Sequence, residues 1–99
     1  MFKIKWTPEA ENLYFENLEF WINHNKSSTY ALKIIDEVVR KEKLIADNPY
    51  IGALVEGTKE EVRRVLVLEN FAIHYRINKL TIEVLSFWAN KQNPKNRSI

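Results

Sequence analysis

Apolar and polar residues alternate strictly over Phe2-Lys3-Ile4-Lys5-Trp6, which predicts a half-buried strand with Phe2, Ile4 and Trp6 turned inward. Thr7-Pro8-Glu9 then combines a capping hydroxyl, a proline at a position where its missing N–H costs nothing, and a carboxylate near the positive end of a helix. From Ala10 onward the spacing becomes helical. Leu13, Tyr14, Leu18, Trp21 and Ile22 form one stripe, and Phe15 and Phe20 lie on its two shoulders. An apolar arc that wide predicts either contact with two elements or aromatic surface left over for a partner. Asn23 to Ser28 ends the helix, and Ser27 or Ser28 is placed to cap a second one. There Ala31, Ile34, Ile35, Val38, Val39 and Ile45 keep helical spacing, and the short turn makes the two helices an antiparallel hairpin.

Asn48-Pro49 stops the second helix, because a residue before proline is pushed out of helical angles. Tyr50 to Glu61, with Gly52 and Gly57, reads as loop. Three β-rich runs follow, Val62 to Leu68, Phe71 to Ile77 and Leu80 to Trp88, separated by Glu69-Asn70 and Asn78-Lys79. Taking Asn78-Lys79 as a two-residue turn sets Ile77 opposite Leu80, Tyr75 opposite Ile82 and Ile73 opposite Val84 on a core face. The other face then carries Ala72, His74 and Arg76, with His74 beside Glu83 and Arg76 diagonal to it. The register of the first run stays open, since two-residue and three-residue versions of its turn put Arg63 and Arg64 on opposite faces.

These elements predict one α+β domain over residues 1–99, β-α-α-β-β-β in order, with the helix hairpin packed on a small antiparallel sheet and a polar tail from about Ala89. Its expected core is Leu13, Leu18, Trp21, Ile34, Val38, Ile73, Tyr75 and Val84.

Composition narrows the function. At 45% hydrophobic and 28% charged residues the chain is too apolar for a disordered segment. It has no cysteine, which removes disulfides, thiolate metal sites and cysteine nucleophiles. The longest apolar run, Val65 to Leu68, is far short of the ~20 residues of a membrane-spanning helix, and the first residues do not read as a secretory signal. A cytoplasmic location without a membrane partner is expected. His24 and His74 belong to no ligand cluster, Ser27, Ser28, Ser86 and Ser98 to no nucleophile elbow, and two glycines build no phosphate-binding loop. Neither a metal nor a cofactor is expected.

Charge is unevenly placed. Residues 1–61 carry eight Lys/Arg against eleven Asp/Glu, or −3, and residues 62–99 carry seven against two, or +5. The candidate set is therefore Arg63, Arg64, Arg76, Lys91, Lys95 and Arg97, with His74 and Glu83. Metal-free RNA cleavage needs a base, an acid and cations on the developing phosphorane charge, and His74, Glu83 and Arg76 have the residue types for it. An exposed sheet face with Glu83 merely paired to its neighbours has the same composition.

The order of segments resembles the RelE/ParE toxin superfamily over nearly the whole chain. The resemblance rests on Thr7-Pro8-Glu9-Ala10, on Leu44-Ile45-Ala46-Asp47-Asn48-Pro49-Tyr50-Ile51-Gly52, on Val62-Arg63-Arg64-Val65-Leu66-Val67 and on Ile73-His74-Tyr75-Arg76-Ile77. The ending Phe87-Trp88-Ala89-Asn90-Lys91-Gln92-Asn93-Pro94 is similar to a ParE-type subgroup. It implies a toxin of a type II toxin-antitoxin pair, with a cognate antitoxin as partner. RelE-like members cut messenger RNA on the ribosome, whereas ParE-like members inhibit DNA gyrase by binding. The chain departs from the ribonucleases in having Ala72 after Phe71 where an arginine is usual, Val65 two places after Arg63 where a second basic residue is usual, and Phe87 and Trp88 where a Tyr or His acts. The expectation is a ParE-like protein without catalytic residues of its own, contacting target or antitoxin through Arg63, Arg64, Arg76, Lys91, Lys95, Phe15 and Phe20. The alternative is a metal-free endoribonuclease acting on ribosome-bound message through His74, Glu83 and Arg76.

Overall fold

The structure, a computed structural model, describes residues 2–89. Strand β1 (Lys3–Trp6) leads into helices α1 (Pro8–Asn25) and α2 (Thr29–Asp47), then a short 3-10 helix (Pro49–Ile51) and strands β2 (Ala53–Leu54), β3 (Val62–Val67), β4 (Phe71–Asn78) and β5 (Thr81–Ala89). The five strands form one sheet in the order β1-β5-β4-β3-β2. The expected β-α-α-β-β-β succession is present, with β2 added inside the segment read as loop. The sheet is mixed, because β1 lies parallel to β5, with Ile4 beside Ile82 and Trp6 beside Val84.

Local chemistry explains the helix ends. The Thr7 hydroxyl accepts a hydrogen bond from the Ala10 N–H at 3.1 Å and Pro8 opens α1, as its sequence predicts. Lys26, at φ 55°, closes α1 in the left-handed region, with its N–H on the Ile22 carbonyl. Ser28 starts α2 without a side-chain cap, and Ser27 Oγ accepts the Thr29 N–H instead at 3.1 Å.

Both helices pack on one face of the sheet. Ile34, Val38 and Ile45 of α2 meet Ile73, Tyr75, Val84 and Phe87 of the strands in a closed core. Leu13, Leu18 and Trp21 of α1 pack against this core from its margin and are half-buried, not enclosed. An aromatic chain runs from Trp6 through Tyr14 to Phe87 and Phe71, with ring centroids 5.0, 5.1 and 5.3 Å apart. Trp6 also donates its indole N–H to Glu42 at 2.8 Å, tying β1 to α2. Burial and the Glu42 charge push the neighbouring Tyr14 hydroxyl up to about 12.

The β4–β5 register differs from the expected one by two residues. Asn78 pairs with Thr81, Ile77 with Ile82 and Tyr75 with Val84, so the turn is Lys79-Leu80, with Lys79 at φ 59° and Leu80 68% exposed. A two-residue slip keeps every side chain on its face, which is why the expected core strands are still right. Beyond Val84 a bulge breaks the alternation: His74 pairs with Ser86 and Ile73 with Phe87, and Leu85 is the extra residue. From there Phe87 and Ala89 turn inward and Trp88 outward. Ala89 is thus a buried strand residue, and the expected tail beyond it lies outside the described residues.

Candidate functional surface

The hinge between α2 and the meander is fastened by a buried tyrosine. Tyr75 accepts the Gly52 N–H at 3.0 Å and donates to the Pro49 carbonyl at 2.8 Å. A Cβ on Gly52 would lie 2.6 Å from the Tyr75 hydroxyl and 3.0 Å from the Arg64 carbonyl oxygen, so close approach is what requires glycine here. Burial pushes the Tyr75 hydroxyl up, against the opposing pull of the Gly52 N–H and of Arg63. Arg63 completes the fastening by donating to the carbonyls of Tyr50 at 3.2 Å and Gly52 at 2.9 Å, pairing with Glu61 at 2.8 Å and lying 5.1 Å over the Tyr50 ring.

The three-residue turn Leu68-Glu69-Asn70 settles the register left open by the sequence. Arg63 pairs with Tyr75 and Arg64 with His74. Directly paired residues share a face, so Arg63 belongs to the helix-covered side and Arg64 to the open side. On that open side Arg64, His74 and Ser86 form a row across β3, β4 and β5. His74 Nδ1 lies 3.4 Å from Ser86 Oγ. Burial first, then the Arg64 charge, lower the His74 pKa below its ordinary value, which favours the neutral ring. Arg64 is exposed and makes no hydrogen bond or ion pair among the described residues. Leu66, Ala72 and Trp88 continue the face toward one end as an apolar row.

Arg76 is held differently. It faces Glu83 directly, with Nε 2.6 Å from the carboxylate, and its Nη1 meets Glu60. The two carboxylates, Glu60 foremost, raise the guanidinium pKa, and the hydrogen bond from Arg76 lowers that of Glu83. This corrects the expected arrangement: His74 stands beside Ser86, and Glu83 belongs to Arg76. The slip of register and the bulge at Leu85 cause the change. Chemically, a neutral histidine next to an unpaired guanidinium can bind an anion. Glu83, engaged by Arg76 across the strand, is not placed as its acid–base partner.

Two cations missed by sequence reasoning join this face. Lys3 pairs with Thr81 and Lys5 with Glu83, so the parallel docking of β1 brings Lys5 to the Arg76–Glu83 pair and Lys3 two residues away on the same face. Their alternation with Phe2, Ile4 and Trp6 was the signal, but it could not say which strand they would lie beside.

Phe15 is 55% exposed and Phe20 is 43% exposed, as expected of shoulder positions, but they open onto different sides of α1. Phe15 shares a shallow groove with Tyr14, Val39 and Glu42, whereas Phe20 shares one with Phe87. The outer side of α2 is more apolar than its spacing suggested, since Leu32, Ile35 and Val39 are all exposed. Ile35 and Val39 fit the helical stripe in sequence, yet Ala31, Ile34 and Val38 occupy the contact with the sheet. Lys91, Lys95 and Arg97 lie outside the described residues. No described helix is long and apolar enough to cross a membrane, and among the described residues no group of three or more His, Cys, Asp or Glu could hold a metal ion.

No family model matches the chain, and no curated protein matches it. Among solved structures, the fold is similar to that of a chain from a chromosomal ParDE TA system of P. aeruginosa, with a TM-score of 0.73 at 20% sequence identity, covering 90% of this chain and 96% of that one.

Proposed function

We propose that this protein is the toxin of a type II toxin-antitoxin pair, that it acts by binding DNA gyrase, and that a cognate antitoxin neutralises it. The fold shared with a ParDE-system chain supports the toxin reading. The observation that carries the choice of a binding mechanism over RNA cleavage is the separation on the open face: Ser86, not Glu83, stands across from His74, and Arg76 is occupied by two carboxylates. A ribonuclease built on His74, Glu83 and Arg76 would lack its acid–base pair and would have Arg76 already engaged by carboxylates, and one lost charge contact of this kind typically costs ~10²–10³ in rate. Arg64, with Lys91 and Lys95, supplies the cationic contacts to the target. The exposed apolar positions Phe15, Leu32, Ile35 and Val39 supply antitoxin surface, suited to an amphipathic segment that folds as it binds.

The test is induction in bacteria with two readouts, gyrase supercoiling by the purified protein and integrity of cellular messages. Supercoiling should be inhibited while messages stay intact, and Arg64→Ala should relieve growth arrest. Ribosome-dependent message cleavage that is lost in His74→Ala or Glu83→Ala would replace this reading with the ribonuclease.

A further inference from the structure

Strand β1 covers only part of the outer side of β5. Its pairing runs from Thr81 to Val84, and the last bond on that side is from the Thr7 N–H to the Val84 carbonyl. From Leu85 to Ala89 no described strand lies along this side of β5, although β4 is paired on the other. Helix α1 runs past the uncovered stretch. Leu13, Glu16, Asn17 and Phe20 from the helix and Phe87, Trp88 and Ala89 from the strand line a groove of about 410 Å³.

Asn17 is the unusual member. It is the buried polar residue of the described chain, 6% exposed, and sits among residues that are otherwise apolar on that side of α1. Its Nδ2 donates to the Leu13 carbonyl at 2.9 Å, but its Oδ1, also buried, accepts from no described residue. Buried acceptors are ordinarily satisfied, so an orphan lining a groove points to a donor that arrives from outside. Glu16 adds a negative charge, and among the described residues no lining side chain is a cation. Apolar and aromatic walls, an orphan carbonyl oxygen and a carboxylate complement a planar, multiply donating cation.

We propose that this groove receives an arginine side chain of a partner polypeptide whose extended backbone adds along the uncovered edge of β5. Strand addition satisfies the edge through main-chain hydrogen bonds, and the groove below selects the side chain that points into it. The guanidinium gives Asn17 Oδ1 its missing donor and pairs with Glu16. The groove is lined by α1 and the last residues of β5 and by neither Arg64 nor His74, so the proposal does not depend on which target those two engage.

The probe is the peptide acetyl-Thr-Val-Arg-Val-Thr-amide, titrated into the isotope-labelled full chain and followed by NMR, with the citrulline version as its uncharged twin. Binding should shift the backbone amides of Phe87 to Ala89 and the side-chain amide of Asn17. The citrulline peptide, and the arginine peptide on Glu16→Gln protein, should each bind about tenfold more weakly, the loss of one charge-assisted contact. Asn17→Leu should weaken binding without lowering the unfolding midpoint, which a merely structural asparagine would not allow. Equal affinity for the two peptides, shifts confined to the outer face of α2, or no shift at any peptide concentration would each overturn the proposal. Failure of gyrase inhibition would leave these results unchanged, since the titration contains no target.

Discussion

Arg63 and Arg64 are consecutive residues of β3, but the first has its guanidinium bound to Tyr50, Gly52 and Glu61 beside a buried tyrosine, and the second stands exposed next to a neutral histidine. The side chain of Arg63 is 13% exposed, so it acts as a bolt in the hinge between α2 and the sheet. Arg64 has no hydrogen-bond or ion-pair partner among the described residues. Two cations of the same type in one motif are therefore placed in opposite surroundings. A strand sends neighbours to opposite faces, and only one face is covered by helices.

The hinge should give the largest effects. Gly52→Ala forces a methyl against the Tyr75 hydroxyl and a backbone carbonyl, and should destabilise the protein by about 3 kcal/mol in urea unfolding. Tyr75→Phe strands the Gly52 N–H and leaves the Pro49 carbonyl without its donor, at a cost of about 2 kcal/mol. A wild-type midpoint in either variant would break the contrast, since the hinge would then be no more fastened than the open face.

The two arginines sharpen it. Arg63→Ala should lower stability by about 1–2 kcal/mol, whereas Arg64→Ala should stay within about 0.5 kcal/mol of wild type. In growth assays the order should reverse for protein that is folded: Arg64→Ala relieves arrest, and Arg63→Lys, which keeps the charge but not the fork, retains it. Equal stability losses from the two alanine variants would refute the division of labour.

The smallest effect is in pH. The folded-state pKa of His74 lies below its unfolded value of about 6.5, so the folded protein resists protonation. Its contribution to stability is then complete above about pH 6.5 and declines as pH falls from there through the folded pKa. Glu83, lowered by Arg76, gives a separate loss only as pH falls below the ordinary carboxylate range. Urea midpoints at about pH 7.5 and pH 5.5 should differ less in His74→Asn than in wild type. An unchanged difference would mean that His74 is not the group being protonated.

Much of this architecture was legible from local chemistry. The Thr7-Pro8 cap, the α2 stop at Asn48-Pro49 and the inward set Ile34, Val38, Ile73, Tyr75 and Val84 all depend on neighbours in sequence or on a simple period. The errors have a common origin. The expected β4–β5 turn is displaced by one residue because Asn78-Lys79 and Lys79-Leu80 are both adequate by composition, and the only sequence trace of the bulge at Leu85 is the break in alternation between Glu83 and Ser86. The site suffered more than the fold, because a core tolerates a two-residue slip and a cross-strand pair does not.

Sequence by itself determined the main elements, β1, the two helices and the three strands of the meander, and their order, since periods of 2 and 3.6 residues and the special angles of proline are properties of the local chain. Only the tertiary structure decided that β1 lies parallel beside β5, that Arg63 faces inward and Arg64 outward, and that His74 meets Ser86 and not Glu83. Those facts depend on registers between distant segments, where shifting one residue exchanges the two faces and no local preference fixes the choice.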